Sequence, residues 1–157
     1  MESATVEQDS DAEMRHIIEE ARVILPGVQA LFGFQTIAVF SERFAELANY
    51  AKACHVLGLA TVVTAIAMVM TPAVYYRTCH GQANRRMARL SAWLIRGALL
   101  PLAGGLALDM FTVVHAVTEW LPLSLLSGAG TFALLIALWF VLPTHARRHV
   151  LARGRTP

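Results

Sequence analysis

Polar and apolar positions along this chain fall into blocks. Residues 1–10 are acidic and polar, and the following segment DAEMRHIIEEARVIL sets Ile17, Ile18, Ala21 and the Ile24/Leu25 pair on one side with acids on the other. That spacing predicts an amphipathic helix lying near a membrane surface. Four long apolar stretches follow, at about 23–40, 56–76, 97–118 and 123–142, with charge clustered before and between them. A helix rises about 1.5 Å per residue, so roughly 20 apolar residues cross the ~30 Å hydrocarbon core of a bilayer. The first stretch is the shortest and covers about 27 Å. The pattern predicts an all-α fold, a four-transmembrane-helix bundle with an N-terminal amphipathic helix. Its parts are a disordered acidic tail (1–10), the amphipathic juxtamembrane helix (11–22), a membrane domain (23–142) and a basic cytoplasmic tail (143–157).

Composition narrows the class. Of 157 residues, 56% are hydrophobic and 15% charged, whereas a soluble domain carries about 25% charged residues. A mean hydropathy of +0.52 needs a solvent other than water. The acidic start lacks the basic region and short apolar core of a cleavable signal peptide. Arginines set the orientation. Arg77, Arg85, Arg86 and Arg89 lie between the second and third stretches, Arg96 is close by, and Arg147, Arg148, Arg153 and Arg155 lie after the fourth. The first connection holds only Arg43 and Lys52, and the third, EWLP, holds neither arginine nor lysine. The positive-inside rule then predicts a multi-pass inner-membrane protein with both termini cytoplasmic. Cys54 and Cys79 fall on opposite sides, so no disulfide joins them. Beside helix ends, the basic patches read as topology signals and anionic-lipid contacts rather than nucleic-acid sites.

The first stretch, RVILPGVQALFGFQTIAVFSER, carries two glutamines, two glycines and a proline. On a helix, Arg22, Pro26, Gln29, Gly33, Thr36, Phe40 and Arg43 recur at steps of four and three and form one seam. Leu25, Val28, Phe32 and Val39 lie off it, and Gln35 lies beside it. Amide and hydroxyl groups are unfavourable in hydrocarbon, so the seam is expected to face other helices or water. It reads either as packing between helices, with Gly33 allowing close backbone approach, or as the wall of a hydrated pathway. The same stretch resembles an uncharacterised family of small bacterial four-helix membrane proteins. In that family E-x-R-x-L-L-P-G-V-Q-x-L-F-G-F opens the first span and F-x-x-R-F closes it. Glu20, Arg22, residues 25–29 and 31–34, Phe40, Arg43 and Phe44 carry the resemblance. It implies a four-span inner-membrane protein without an established activity, some members being labelled sodium:proton antiporters.

Asp109 is the one acid well inside an apolar stretch. A charge there is costly, so it is expected to face the bundle interior, to pair or to take up a proton. Gly105 and Thr112 share its helical face, and the side continues through His115 and Ala116 to Glu119. Counting along the helices sets Asp109 level with Gln35, and those two with Thr61 or Thr64 are expected to form one polar site. Such a carboxyl either handles protons or monovalent cations or locks helices together. Cys54, His55, His115 and Glu119 are of metal-ligating types, but adjacent Cys-His is not a ligand spacing, so neither a metal nor a haem is expected, nor any other cofactor. No nucleophile–base pair suggests an enzyme. Two functions remain: movement of protons or monovalent cations by an oligomer, with Asp109 as the titrating site, or a non-transporting accessory or scaffold subunit. Its partners would be the lipid bilayer, further copies of the chain or a membrane partner protein, and no nucleic acid.

Overall fold

The structure is a computed structural model and describes residues 2–79 and 85–145. The described residues form helices and no strand. They are α1 (Glu2–Ala38), the short α2 (Glu42–Glu46), α3 (Asn49–Thr78), α4 (Arg85–Thr118) and α5 (Leu121–Ile136), which runs on through a π-helical turn, Ala137–Val141. Among the described residues three helices are long and apolar enough to cross a membrane: Asn49–Thr78, Arg86–Thr118 and Leu121–His145. The middle of the expected basic connection, 80–84, and residues 146–157 of the expected basic tail lie outside the described residues.

The first apolar stretch departs from expectation. No boundary separates an amphipathic helix from a span, because α1 runs unbroken from Glu2 through Pro26 to Ala38. Pro26 deprives one upstream carbonyl of its donor, and it does so on an exposed face. The helix then stops early. Phe40 and Ser41 turn back with N–H bonds to the carbonyls of Ile37 and Ala38, and the Ser41 hydroxyl caps α2 by accepting from the Phe44 N–H at 3.2 Å. Only residues 23–38 are both apolar and helical, about 24 Å of helix against a hydrocarbon core of ~30 Å. For that reason α1 is not among the three membrane-length helices.

At the other end, the fourth apolar stretch ends at Leu142, yet the chain stays helical through Pro143 to His145. The π-helical turn accommodates it. Leu142 N–H bonds the Ala137 carbonyl five residues back, and this wider register relieves the clash a proline ring makes with the preceding turn.

Packing places α4 at the centre. It lies against both α3 and α5, and α1 lies across α3 and α4. Glycines set the two closest crossings. A Cβ on Gly105 of α4 would stand 2.7 Å from Val62 Cγ2 and 3.1 Å from the Gly58 carbonyl of α3. A Cβ on Gly128 of α5 would stand 3.0 Å from the Ala107 carbonyl of α4. The core climbs in layers. Met14, Ile17 and Ala21 of α1 meet Val69 of α3 and Met87, Ala88, Ile95 and Ala98 of α4. Above them, Val28 packs with Val62, Ala65 and Leu102, and Trp139 closes on the same layer. Thus α1 runs antiparallel to α3, and the layer beyond Val28 holds Gln35.

Within the single chain this packing separates the two faces of α1. Val28 is buried and Leu25, Leu31 and Phe32 are partly buried, whereas Arg22, Pro26, Gln29 and Thr36 are exposed. Within one chain the seam points outward, and a Cβ on Gly33 would meet nothing within 4 Å. The apolar side of α1 fills the bundle because it matches the aliphatic grooves of α3 and α4. Phe40 and Arg43 leave the seam altogether, since the helix ends before them.

Candidate functional site

Three helices meet around Asp109. From α1, the Gln35 side-chain amide donates to Asp109 Oδ2. From α3, His55 Nδ1 stands 3.8 Å from Asp109 Oδ1, beyond hydrogen-bond reach. Gln35 and His55 are 5% and 4% exposed, so both count as interior polar groups that need partners.

The local fold explains why His55 is there. Because α1 ends at Ala38, the Gln35 carbonyl is one of the last four, which lack an intrahelical donor. His55 Nε2 supplies it at 3.0 Å. A carbonyl only accepts, so Nε2 carries the hydrogen, and Phe44 holds the imidazole edge-on with ring centroids 5.1 Å apart. The nitrogen facing Asp109 is therefore a bare lone pair in the neutral ring and an N–H in the charged one. Asp109 Oδ1 and Gln35 Oε1 are both buried without a hydrogen-bond partner. With the carboxylate ionised and the imidazole neutral, this cluster is short of a donor. One additional hydrogen, on the carboxyl or on Nδ1, would serve one of these two acceptors.

A cavity of about 250 Å³ adjoins the cluster, with Gln35, His55, Asp109 and Thr112 in its wall and Ser41 and Arg43 from the turn after α1. Arg43 is exposed, so the cavity reaches the surface at the end of the bundle where α1 stops. The rest of the wall is apolar, with Leu31, Phe34, Phe44, Leu47 and Val113.

The other expected residues fall elsewhere. Thr112 lines the cavity, but its hydroxyl donates to the Leu108 carbonyl of its own helix at 2.9 Å. Thr61 and Thr64 likewise bond their own helix, at the Gly58 and Ala60 carbonyls, so neither completes the cluster. Glu119 is exposed in the α4–α5 turn with φ of 53°, away from the carboxyl. His115 is fully engaged in a second cluster. Ser124, completely buried, gives its one hydrogen to the Trp120 carbonyl at 2.9 Å. Its oxygen must then accept from His115 Nδ1, 3.3 Å away, which leaves Nε2 to accept from the Tyr50 hydroxyl at 2.7 Å. Phe111 stacks on the ring. His115 thus joins α3, α4 and the start of α5 with every polar atom satisfied. Of the seam, only Arg43 reaches the cavity; Arg22, Pro26, Gln29, Gly33 and Thr36 do not line it. Among the described residues no three His, Cys, Asp or Glu side chains gather as a metal-ligand set.

The residue missed from sequence is His55. Its signal was its level: it lies near the same end of the bundle as Gln35 and Asp109, but adjacency to Cys54 draws attention to metal chemistry instead.

Among the described residues these features define a helical bundle with three membrane-length helices and an interior carboxyl–amide–imidazole cluster. The chain belongs to the family of unknown function DUF6328, whose model matches residues 3–143. No curated protein and no solved structure matches it.

Proposed function

We propose that this is a multi-pass inner-membrane protein that moves protons or monovalent cations, with Asp109 as the titrating group. The observation that carries the reading is the incomplete hydrogen bonding of the cluster: Asp109 Oδ1 and Gln35 Oε1 have no donor, and His55 presents only Nδ1 to them. A cluster with acceptors in need of a donor is a place where a proton or a cation can bind, since an unsatisfied buried polar group is costly. The adjoining cavity, open beside Ser41 and Arg43, supplies a route from one surface. In this reading α1 is the fourth crossing, supported by α3 and α4 along its whole length from Met14 to Gln35, and both termini are cytoplasmic. The outward seam supports an oligomer: Gln29 is exposed, and an amide facing hydrocarbon is stabilised by a neighbouring protein surface.

That seam also favours a second reading, an accessory or scaffold subunit that docks on a different membrane protein through Gln29, Gly33 and Thr36. Flux decides between them. In proteoliposomes bearing proton, sodium or potassium gradients, the wild-type chain is expected to show pH-dependent flux and Asp109→Asn, equally assembled, to lose it. Undiminished flux in that variant ends the proton-site reading. Absence of flux in both, with a stoichiometric partner on purification, supports the second.

A further inference from the structure

The groove between the first half of α1 and the last turns of α3 holds three arginines that neither reading of function uses. Arg15 and Arg22 of α1 and Arg77 of α3 line it together with Ile18, Glu19 and Tyr76, around a volume of about 480 Å³. All three arginines are exposed, and no ion pair among the described residues engages them. Glu19, the acid of the lining, lies 3.9 Å from His16 Nδ1 instead. The guanidinium groups come from two helices that pack through Met14, Ile17, Ala21 and Val69, so the backbone that presents them is fixed by the core.

We propose that this groove binds the headgroup of an anionic glycerophospholipid. Three guanidinium groups offer planar, paired donors that match phosphate oxygens. The groove also has an apolar side, with Ile18 and Ala73 beside the half-buried ring of Tyr76. Exposed Val23 follows Arg22 on α1, and exposed Met70 and Val74 neighbour Ala73 on α3, where they also line the adjoining groove against α4; acyl chains would lie on this apolar surface. A free phosphate would use the arginines and leave that apolar side idle, and this decides for a lipid. The proposal rests on the membrane reading of the helices but not on any transport at Asp109. An arginine near an anionic membrane surface contributes about 1 kcal/mol, about fivefold in binding, so the three together make a selective site.

The full chain, purified in a neutral detergent, is offered phosphatidylglycerol and phosphatidylcholine in equal amounts, and bound lipid is counted by native mass spectrometry. The wild type is expected to retain phosphatidylglycerol in preference. Each of Arg15→Gln, Arg22→Gln and Arg77→Gln is expected to lower that retention about fivefold. Arg86→Gln, exposed on α4 outside the groove, is expected to retain it and serves as the control for charge alone. Soluble glycerol phosphate is expected not to displace the lipid. Equal retention by wild type and the groove variants, an equal loss in Arg86→Gln, or displacement by glycerol phosphate would each overturn the proposal. Helical content by circular dichroism confirms that the compared variants are folded. Membrane insertion without headgroup preference would end this proposal and leave the reading of Asp109 standing.

Discussion

Asp109 and His115 lie on the same helix, and counting hydrogens separates their roles. His115 has a partner for each ring nitrogen and joins three helices, whereas the oxygen of Asp109 nearest His55 has none. The two clusters therefore answer differently to mutation. Tyr50→Phe removes one satisfied hydrogen bond from His115 and is expected to cost about 0.5–1.5 kcal/mol, read as a lower unfolding midpoint in detergent, with flux unchanged. His55→Phe keeps a ring against Phe44 but strips the Gln35 carbonyl of its donor. Orphaning a buried acceptor costs about 1–3 kcal/mol, so this variant is expected to unfold earlier than Tyr50→Phe and also to alter the pH dependence of flux. An unchanged midpoint in His55→Phe would show that the end of α1 does not depend on the imidazole. The meeting of Gln35 with Asp109 is legible in the sequence, because depth along straight antiparallel helices is set by counting residues. The arrival of His55 is not, because it depends on α1 ending at Ala38 and leaving a carbonyl to be satisfied.

For α1 as an element, periodicity identifies two faces without saying which one is inside. In water the polar face of a helix turns outward; in a bilayer that rule fails, and the seam of Arg22, Pro26, Gln29, Gly33 and Thr36 is as readily assigned to the interior. Within one chain shape decides: Val28 fits the layer of Val62 and Leu102, and a Cβ on Gly33 would meet nothing within 4 Å. The glycines that allow backbones to approach are on α3, α4 and α5 instead. Neighbouring Gly104 and Gly105 make the point testable. A Cβ at Gly105 meets Val62 at 2.7 Å and the Gly58 backbone at 3.1 Å, while one at Gly104 meets nothing within 4 Å. Gly105→Ala is therefore expected to destabilise by about 1–3 kcal/mol through overpacking, and Gly104→Ala to be tolerated. Equal thermal midpoints for the two would count against the α3–α4 crossing described here. Gly33→Leu then reports on the seam alone: because the chain itself leaves space there, a loss of oligomer or partner locates the interface on α1.

For the whole molecule, the antiparallel order of α1, α3 and α4 gathers Arg15, Arg22, Arg77, Arg86 and Arg89 at one end, while Arg43 lies with Asp109 towards the other. Arg15, Arg22 and Arg77 share one groove, while Gln35, His55 and Asp109 share one cavity beside the turn that follows α1. In the proposed orientation the arginine-rich end is cytoplasmic, and the Asp109 cavity then lies in the outer half of the bilayer. The two cysteines test this directly. Cys54 lies beside His55 near the start of α3, and Cys79 caps its far end. At about 1.5 Å per residue they are about 37 Å apart along the helix, on opposite sides of a ~30 Å hydrocarbon core. Both are half-buried and unpaired, so each is reachable by a small maleimide. In right-side-out vesicles carrying single-cysteine variants, the chain that keeps Cys54 (Cys79→Ser) is expected to react from outside. The chain that keeps Cys79 (Cys54→Ser) is expected to react only after permeabilisation. The reverse pattern would invert the protein and turn the carboxyl cavity towards the cytoplasm. Labelling of both from one side would mean that α3 does not cross, and the depth assigned to Asp109 would fall with it.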